Sequence, residues 1–199
     1  AMLEVLEKSR DKIHQQNQQL QVLATRDPLT GCWNRRAFFD QFETLWNAAI
    51  RKGRHLSCIM VDVDHFKAVN DRFGHSRGDE VLRQVARAMT ETAREGDLVC
   101  RYGGEEFCVL LPGRDVNEGY QVAERFRSAV CRLEFPDLRV TASFGISSLS
   151  LCANEPAELL NQADKSLYVA KTNGRNQTVR WDRVPENARK ECSETSKPI

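Results

Sequence analysis

Apolar and polar positions along the chain change their period several times, and each change marks an element. Over residues 3–25, Leu6, Ile13 and Leu20 fall seven apart, with Leu3, Arg10, Asn17 and Ala24 at the companion seam positions. This half-apolar seam predicts a helix of three heptads, marginal as a coiled coil, in which Arg10 and Asn17 lower stability while fixing register. It reads either as a parallel dimer stalk or as a lone solvated helix leading into a domain. At "TRDPLTGCWNRRAFF" the pattern breaks, because proline disfavours helical geometry at Asp27 and Gly31 supplies a turn. Phe38, Phe39, Phe42, Leu45, Trp46, Ala49 and Ile50 then recur at helical spacing up to Gly53. "HLSCIMVDV" is nearly continuous apolar, the pattern of a strand buried on both faces.

Two short helices are expected from "DHFKAVNDRF" and "GDEVLRQVARAMTETA", the second with Val81, Val85 and Met89 on one face. "LVCRYGG" and "EEFCVLL" read as a hairpin whose glycines permit the positive backbone angles of a tight turn. A helix through "GYQVAERFRSAV" follows, then a strand in "LRVTASFGI" with Val140, Ala142, Phe144 and Ile146 alternating. A helix through "PAELLNQADKSLYVAK" and a short strand near "NQTVRW" close the series. The order β-α-α-β-β-α-β-α-β predicts an α/β (α+β) domain: a mixed central sheet of about five strands flanked by helices. The expected divisions are a helical stalk over 1–26, a globular domain over 27–181, and a polar tail over 182–199 that frays.

Composition narrows the function classes. Lys+Arg number 29 against 28 Asp+Glu, a net charge of +1 that leaves no footprint for nucleic acid or an anionic membrane surface. Phosphate recognition must then be local. No apolar run approaches the roughly 18–20 residues of a membrane span and no secretory pattern opens the chain, so a cytoplasmic fragment is expected. The seven cysteines are odd in number, lack a C-x-x-C pair and sit mostly in apolar runs, as reduced small hydrophobes do. The leading Ala1-Met2 reads as a cloning remnant, with native sequence expected upstream.

The candidate chemistry lies in acids at strand ends. Asp62 ends the first core strand, and Glu105 and Glu106 open a strand just past a hairpin, so all three meet at one sheet edge. Such carboxylates repel one another unless a cation intervenes, and hard oxygens from two strands suit magnesium completed by substrate phosphates. The helix after Asp64, with Asp64 read as its N-cap, offers amides and a positive dipole end to an anion. "KTNGRN" places Lys171 and Arg175 four apart around a glycine, two cations for terminal phosphate oxygens. Each feature alone has an ordinary reading, a capped helix, a solvated Glu pair or C-terminal helix charges; together they describe a nucleoside triphosphate site.

These residues resemble the GGDEF family of diguanylate cyclases over roughly residues 27–181. "GGEEF" from Gly103 to Phe107 is a variant of the family signature, and "DPLTGCWNRRAF", "VDVDHFKAVNDRFGHSRGDEVL", "RYGGEEF", "SFGIS" and "AKTNGRN" follow the family order and spacing. The resemblance implies a fold like that of nucleotidyl cyclases and polymerase palms, and condensation of two GTP into cyclic di-GMP with release of two pyrophosphates. It implies Asp62, the Val63 carbonyl, Glu105 and Glu106 as ligands of two Mg2+ per GTP, with Mn2+ as an alternative ion. Glu105 and Glu106 are the implied catalytic residues, Glu105 as acceptor of the 3′-hydroxyl proton. Asn70 and Asp79 stand where guanine is read, which suits their chemistry: an ionised Asp only accepts, while Asn both donates and accepts. Lys67, Lys171 and Arg175 match phosphate-binding positions, and Phe66 and His75 are further substrate-binding positions.

"REGD", Arg94 to Asp97, has the family's spacing for an inhibitory product site binding cyclic di-GMP, with Arg125 as a second contact from a neighbouring domain. One domain cannot close the ring, so a homodimer is implied, with a sensor expected upstream through which the parent protein can be attached to the inner membrane. No nucleic-acid partner is expected. Two other readings stay open: a catalytically silent receptor for GTP or cyclic di-GMP, and a cyclase of other base preference. Trp33 departs from the family pattern, which has a smaller aliphatic there.

Overall fold

The computed structural model describes residues 2–191; the side chains at 2–9, 17, 18, 188, 190 and 191 lie outside the description. The heptad stretch forms helix α1 (Met2–Thr25). Of its seam, Leu3, Leu6 and Asn17 fall outside the described side chains, while Ile13 and Leu20 are 55% and 61% exposed. The chain then turns through strand β1 (Trp33–Asn34) into helix α2 (Arg35–Lys52), whose start is capped by the Asn34 side chain and whose end is Gly53 at φ 58°. Trp33 has a local role at this junction: the Arg26 guanidinium stacks 4.3 Å from its ring, and Asn34 Nδ2 donates to the Ala24 carbonyl of α1 at 2.9 Å.

Strand β2 (Leu56–Val63) is buried at every position, as its unbroken apolar run requires. Helices α3 (Phe66–Phe73) and α4 (His75–Thr92) follow, then the hairpin of β3 (Leu98–Gly103) and β4 (Glu106–Pro112). Helix α5 (Val116–Cys131) begins with a capping box in which Asp115 and Glu118 satisfy each other's backbone amides. Strand β5 (Ala142–Ser148), helix α6 (Pro156–Thr172) and strand β6 (Thr178–Arg180) complete the sheet. The strand order is β1-β3-β4-β2-β5-β6. β2 is antiparallel to both neighbours, whereas the outer pairs β1/β3 and β5/β6 are parallel, so the sheet is mixed. It has six strands where about five were expected, because two residues of β1 are too few to show a period.

Alternation sorts the strand side chains onto two faces. Ile59, Val61, Phe107, Val109, Phe144 and Ile146 pack with α4 and α5. Cys58, Met60, Cys108 and Leu110 pack with α2 and α6. Fully burying one such apolar side chain contributes about 1.5–3 kcal/mol. On the second face β5 presents Gly145, and a Cβ there would overlap the α6 backbone at Ala163 and Leu167. Helix α6 therefore lies directly on the sheet, which fixes where its last turn and Lys171 emerge.

The fold continues past Trp181, contrary to the fraying tail expected from composition. A 3-10 turn (Trp181–Arg183) leads into helix α7 (Glu186–Glu191), Val184 is buried, and Lys165 of α6 donates to the Arg189 carbonyl at 2.9 Å. Residues 192–199 of the expected tail lie outside the described residues. Among the described residues the six cysteines are free thiols, and burial pushes Cys100 up to about 12. No helix among them is long and apolar enough to cross a membrane.

Candidate active site

The acids meet where β2 ends, in the middle of the sheet rather than at its lateral edge. Asp62 lies opposite Glu106 in the antiparallel β2/β4 register, on the face that carries Met60 and Cys108. Only the second signature glycine, Gly104, has a positive φ, 50°, so the hairpin turns through Gly104 and Glu105. The Val63 amide donates to the Glu105 carbonyl at 3.3 Å, tying that turn to the end of β2. Arg101 secures it from below: its Nε donates to the Gly104 carbonyl at 2.9 Å and its NH1 reaches both Asp27 oxygens at 3.3 Å.

Electrostatics mark this spot as one that seeks positive charge. Burial raises Asp62 above the usual carboxylate range, with Glu105 and Asp64 adding to the rise. Burial, and then the charge of Asp62, raises Glu106 as well. The Lys171 ammonium opposes both shifts, 2.7 Å from Asp62 Oδ2. Among the described residues no three His, Cys, Asp or Glu side chains converge tightly enough to hold an ion outright. The donor chemistry nonetheless fits a hard divalent cation: carboxylate oxygens from two strands, mutually repelling, with an ammonium already drawn to one of them.

Asp64 does not cap a helix. Helix α3 starts from His65 at φ 56° with no side-chain cap. Asp64 is buried and accepts from Thr141 Oγ1 at 2.7 Å, Ser143 Oγ at 2.7 Å and the Asn176 amide at 3.0 Å. A buried carboxylate is sustained by such donors, and with both oxygens engaged by Thr141, Ser143 and Asn176 it gives none to the first amides of α3. Beyond α6, Gly174, Arg175 and Asn176 have φ of 108°, 63° and 45°. Arg127 of α5 holds this loop from the other side, donating to Asn176 Oδ1 at 3.0 Å. Lys171 is half-buried and Arg175 exposed at its rim.

On α3, Asn70 sits against α4, and its Oδ1 is buried without a hydrogen-bond partner among the described residues. The contact is with Gly78, immediately before Asp79, where a Cβ would overlap Asn70 Oδ1 and stand 3.1 Å from Phe66 Cζ. An orphaned buried carbonyl costs stability unless a ligand donates to it, and guanine carries such donors. Asp79 is half-buried, Phe66 buried, and Lys67 and His75 exposed.

Arg94 and Asp97 are brought together. Asp97 has a fully buried carboxylate that accepts from the Arg94 amide at 3.1 Å and from Arg94 Nε at 3.3 Å. Arg94 also donates to the Pro112 carbonyl at 2.6 Å. Sequence reasoning missed Arg114, whose NH2 lies 3.6 Å from Asp97 Oδ2 and whose Nε is buried without a hydrogen-bond partner among the described residues. Burial lowers the Arg114 pKa, and the charges of Arg94 and Arg125 push the same way, so the three arginines share one field. The Asp27–Arg101 tie and the three bonds of Asp64 were missed too; each spans more than 70 residues, a separation that leaves no local pattern.

Comparison with known proteins adds a second line of support. The family described as diguanylate cyclase, GGDEF domain, matches residues 24–177. The response regulator PleD of Caulobacter vibrioides is 41% identical over 163 residues, 79% of this chain and 36% of PleD. Diguanylate cyclase VdcA of Vibrio cholerae is 38% identical over 175 residues, 84% of this chain and 50% of VdcA. The chain thus spans half or less of these relatives' own length. Among solved structures, the coiled coil and GGDEF domain of DgcB from Caulobacter crescentus, in complex with cyclic di-GMP, superposes with a TM-score of 0.81 at 28% identity, covering 90% of this chain and 97% of that one. The active GGEEF domain of a diguanylate cyclase from Vibrio cholerae gives 0.73 at 34% identity, covering 77% and 99%. With the family model matching residues 24–177 and relatives 41% and 38% identical over most of its length, the chain belongs to the GGDEF diguanylate cyclase domain family.

Proposed function

We propose that this domain condenses two molecules of GTP into cyclic di-GMP, releasing two pyrophosphates. The observation that carries the reading is the Asp62–Glu106 pair in cross-strand register with the Lys171 ammonium drawn onto it. Asp62, Glu105, Glu106 and the Val63 carbonyl would hold magnesium, two ions per GTP, with manganese as an alternative. Bound there, the metal supplies Lewis acidity at the α-phosphate and eases ionisation of the attacking hydroxyl. Glu105, at the hairpin turn, accepts the 3′-hydroxyl proton. Asn70 and Asp79 read guanine, with Phe66, one turn earlier on α3, and His75, at the start of α4, as further substrate-binding residues. Lys67, Lys171 and Arg175 neutralise the phosphates.

Each domain holds one GTP, so ring closure takes two domains facing each other, each 3′-hydroxyl in line with the partner's α-phosphate. Helix α1, with Ile13 and Leu20 exposed, is the proposed dimer stalk, and pairing along it raises the domains' effective concentration. An upstream sensor would act by changing how often they meet. A domain that consumes GTP works on the cytoplasmic side, whatever anchors the parent protein. Product inhibition is assigned to Arg94 and Asp97, with Arg114 and Arg125 nearby.

Incubating the purified chain with GTP or ATP and Mg2+, and resolving the products by chromatography, tests the reading. Cyclic di-GMP from GTP alone is expected. Nucleotide binding without any cyclic product at high protein concentration would instead identify a receptor, and a product from ATP alone a cyclase of other specificity.

A further inference from the structure

We propose that Asp64 is a positioning residue that indexes the phosphate-binding Arg175 to the catalytic carboxylates. The proposal rests on the assignment of Lys171 and Arg175 to phosphate. Three successive left-handed residues follow α6, and two of them, Arg175 and Asn176, carry a Cβ that disfavours that geometry. Such a loop does not hold its shape by local preference and must be tied from outside. Three ties exist. The Arg175 amide donates to the Ala170 carbonyl at 3.0 Å, Arg127 holds the Asn176 side chain, and Asp64 takes the Asn176 amide at 3.0 Å. The first two bind the loop to helices α6 and α5. Asp64 alone among them joins it to the end of β2, two residues beyond Asp62 and one beyond Val63.

The same carboxylate also grips Thr141 and Ser143, and its own amide donates to the Thr141 carbonyl at 2.9 Å. Asp64 thereby locks three segments at one point: the β2 end that carries the acids, the entry of β5, and the loop that carries Arg175. The distance from Arg175 to the acids is set there. What matters is the acceptor facing Asn176 rather than the negative charge. In Asp64→Asn the amide oxygen can face the Asn176 and Thr141 donors while Nδ2 donates to Ser143 Oγ, since a hydroxyl reverses its role and a backbone amide cannot.

The test is equilibrium binding of GTP and of guanosine to the full chain, by calorimetry with Ca2+ in place of Mg2+. Asp64→Ala should raise the GTP Kd at least tenfold and leave the guanosine Kd unchanged, and Asp64→Asn should restore most of the GTP affinity. Should the alanine variant not fold, Asp64→Ser, polar but too short to reach the Asn176 amide, takes its place. In the double variant with Arg175→Ala the losses should be less than additive, because Asp64 acts through that loop. Thr141→Val, which removes one hydroxyl tie and leaves the Asn176 contact, should lower the melting temperature without moving the GTP Kd. A lower melting temperature with unchanged GTP affinity in Asp64→Ala, equal losses for GTP and guanosine, or full additivity with Arg175→Ala would each overturn the proposal. Failure of the phosphate assignment has a separate signature: Lys171→Ala and Arg175→Ala would then bind GTP as the parent chain does.

Discussion

Gly78→Ala isolates the proposed guanine pocket from the rest of the fold. Gly78 lies in the first turns of α4, and the methyl it would gain overlaps Asn70 Oδ1, stands 3.0 Å from Asn70 Cγ and 3.1 Å from Phe66 Cζ. Two effects compete in stability. Replacing glycine within a helix gains about 1 kcal/mol of helix propensity. Crowding a packed site costs about 1–3 kcal/mol. The net is a loss of about 0–2 kcal/mol, which at roughly 2–4 °C per kcal/mol keeps the melting temperature within about 8 °C. Binding has no such offset. Asn70 must swing away, and losing one or two hydrogen bonds to guanine at about 1–1.5 kcal/mol each weakens GTP by roughly 5- to 150-fold. Calorimetric titration of GTP against Gly78→Ala, Asn70→Ala and the double variant is the assay. The two single variants should lose similar affinity, and the double variant little more than either. A Gly78→Ala protein that binds GTP within twofold of the parent would refute the placement of guanine at Asn70.

Three further outcomes are expected. Glu105→Gln should slow cyclic di-GMP formation by about 10²–10⁴-fold while thermal unfolding stays unchanged, the range for loss of a general base; a parent-like rate would remove Glu105 from the mechanism. Arg94→Ala should raise the cyclic di-GMP concentration for half-inhibition at least tenfold, with Asp97 still paired to Arg114; an unmoved inhibition curve would return Arg94 to the solvated surface. Removing residues 2–25 should depress the rate most at low protein concentration, and a rate per domain that is independent of concentration with and without them would contradict the dimer mechanism.

Elements were legible in the sequence where one period runs long enough to be seen. The alternation through β5 and the unbroken apolar run of β2 announced their strands, and the glycine-acid hairpin pointed to the family. β1 went unseen because two residues carry no period. Asp64 was misread because Asp just before a helix is most often a cap, while its actual donors, Thr141, Ser143 and Asn176, lie 77, 79 and 112 residues away. The pairing of Lys171 with Asp62 was hidden for the same reason: α6 reaches β2 only because Gly145 lets it settle onto the sheet. Trp33, without a rationale in sequence, has one in the Arg26 guanidinium stacked on it.

The return of the chain past Trp181 bears on where this domain can be cut or fused. The family match stops at residue 177, yet the Lys165 ammonium, on a residue only 8% exposed, rests on a carbonyl supplied by Arg189. Severing the chain at the family limit would remove strand β6 from the sheet and strip that acceptor from the very helix that delivers Lys171. A reporter or sensor appended downstream is better joined after Glu191 than after the last strand.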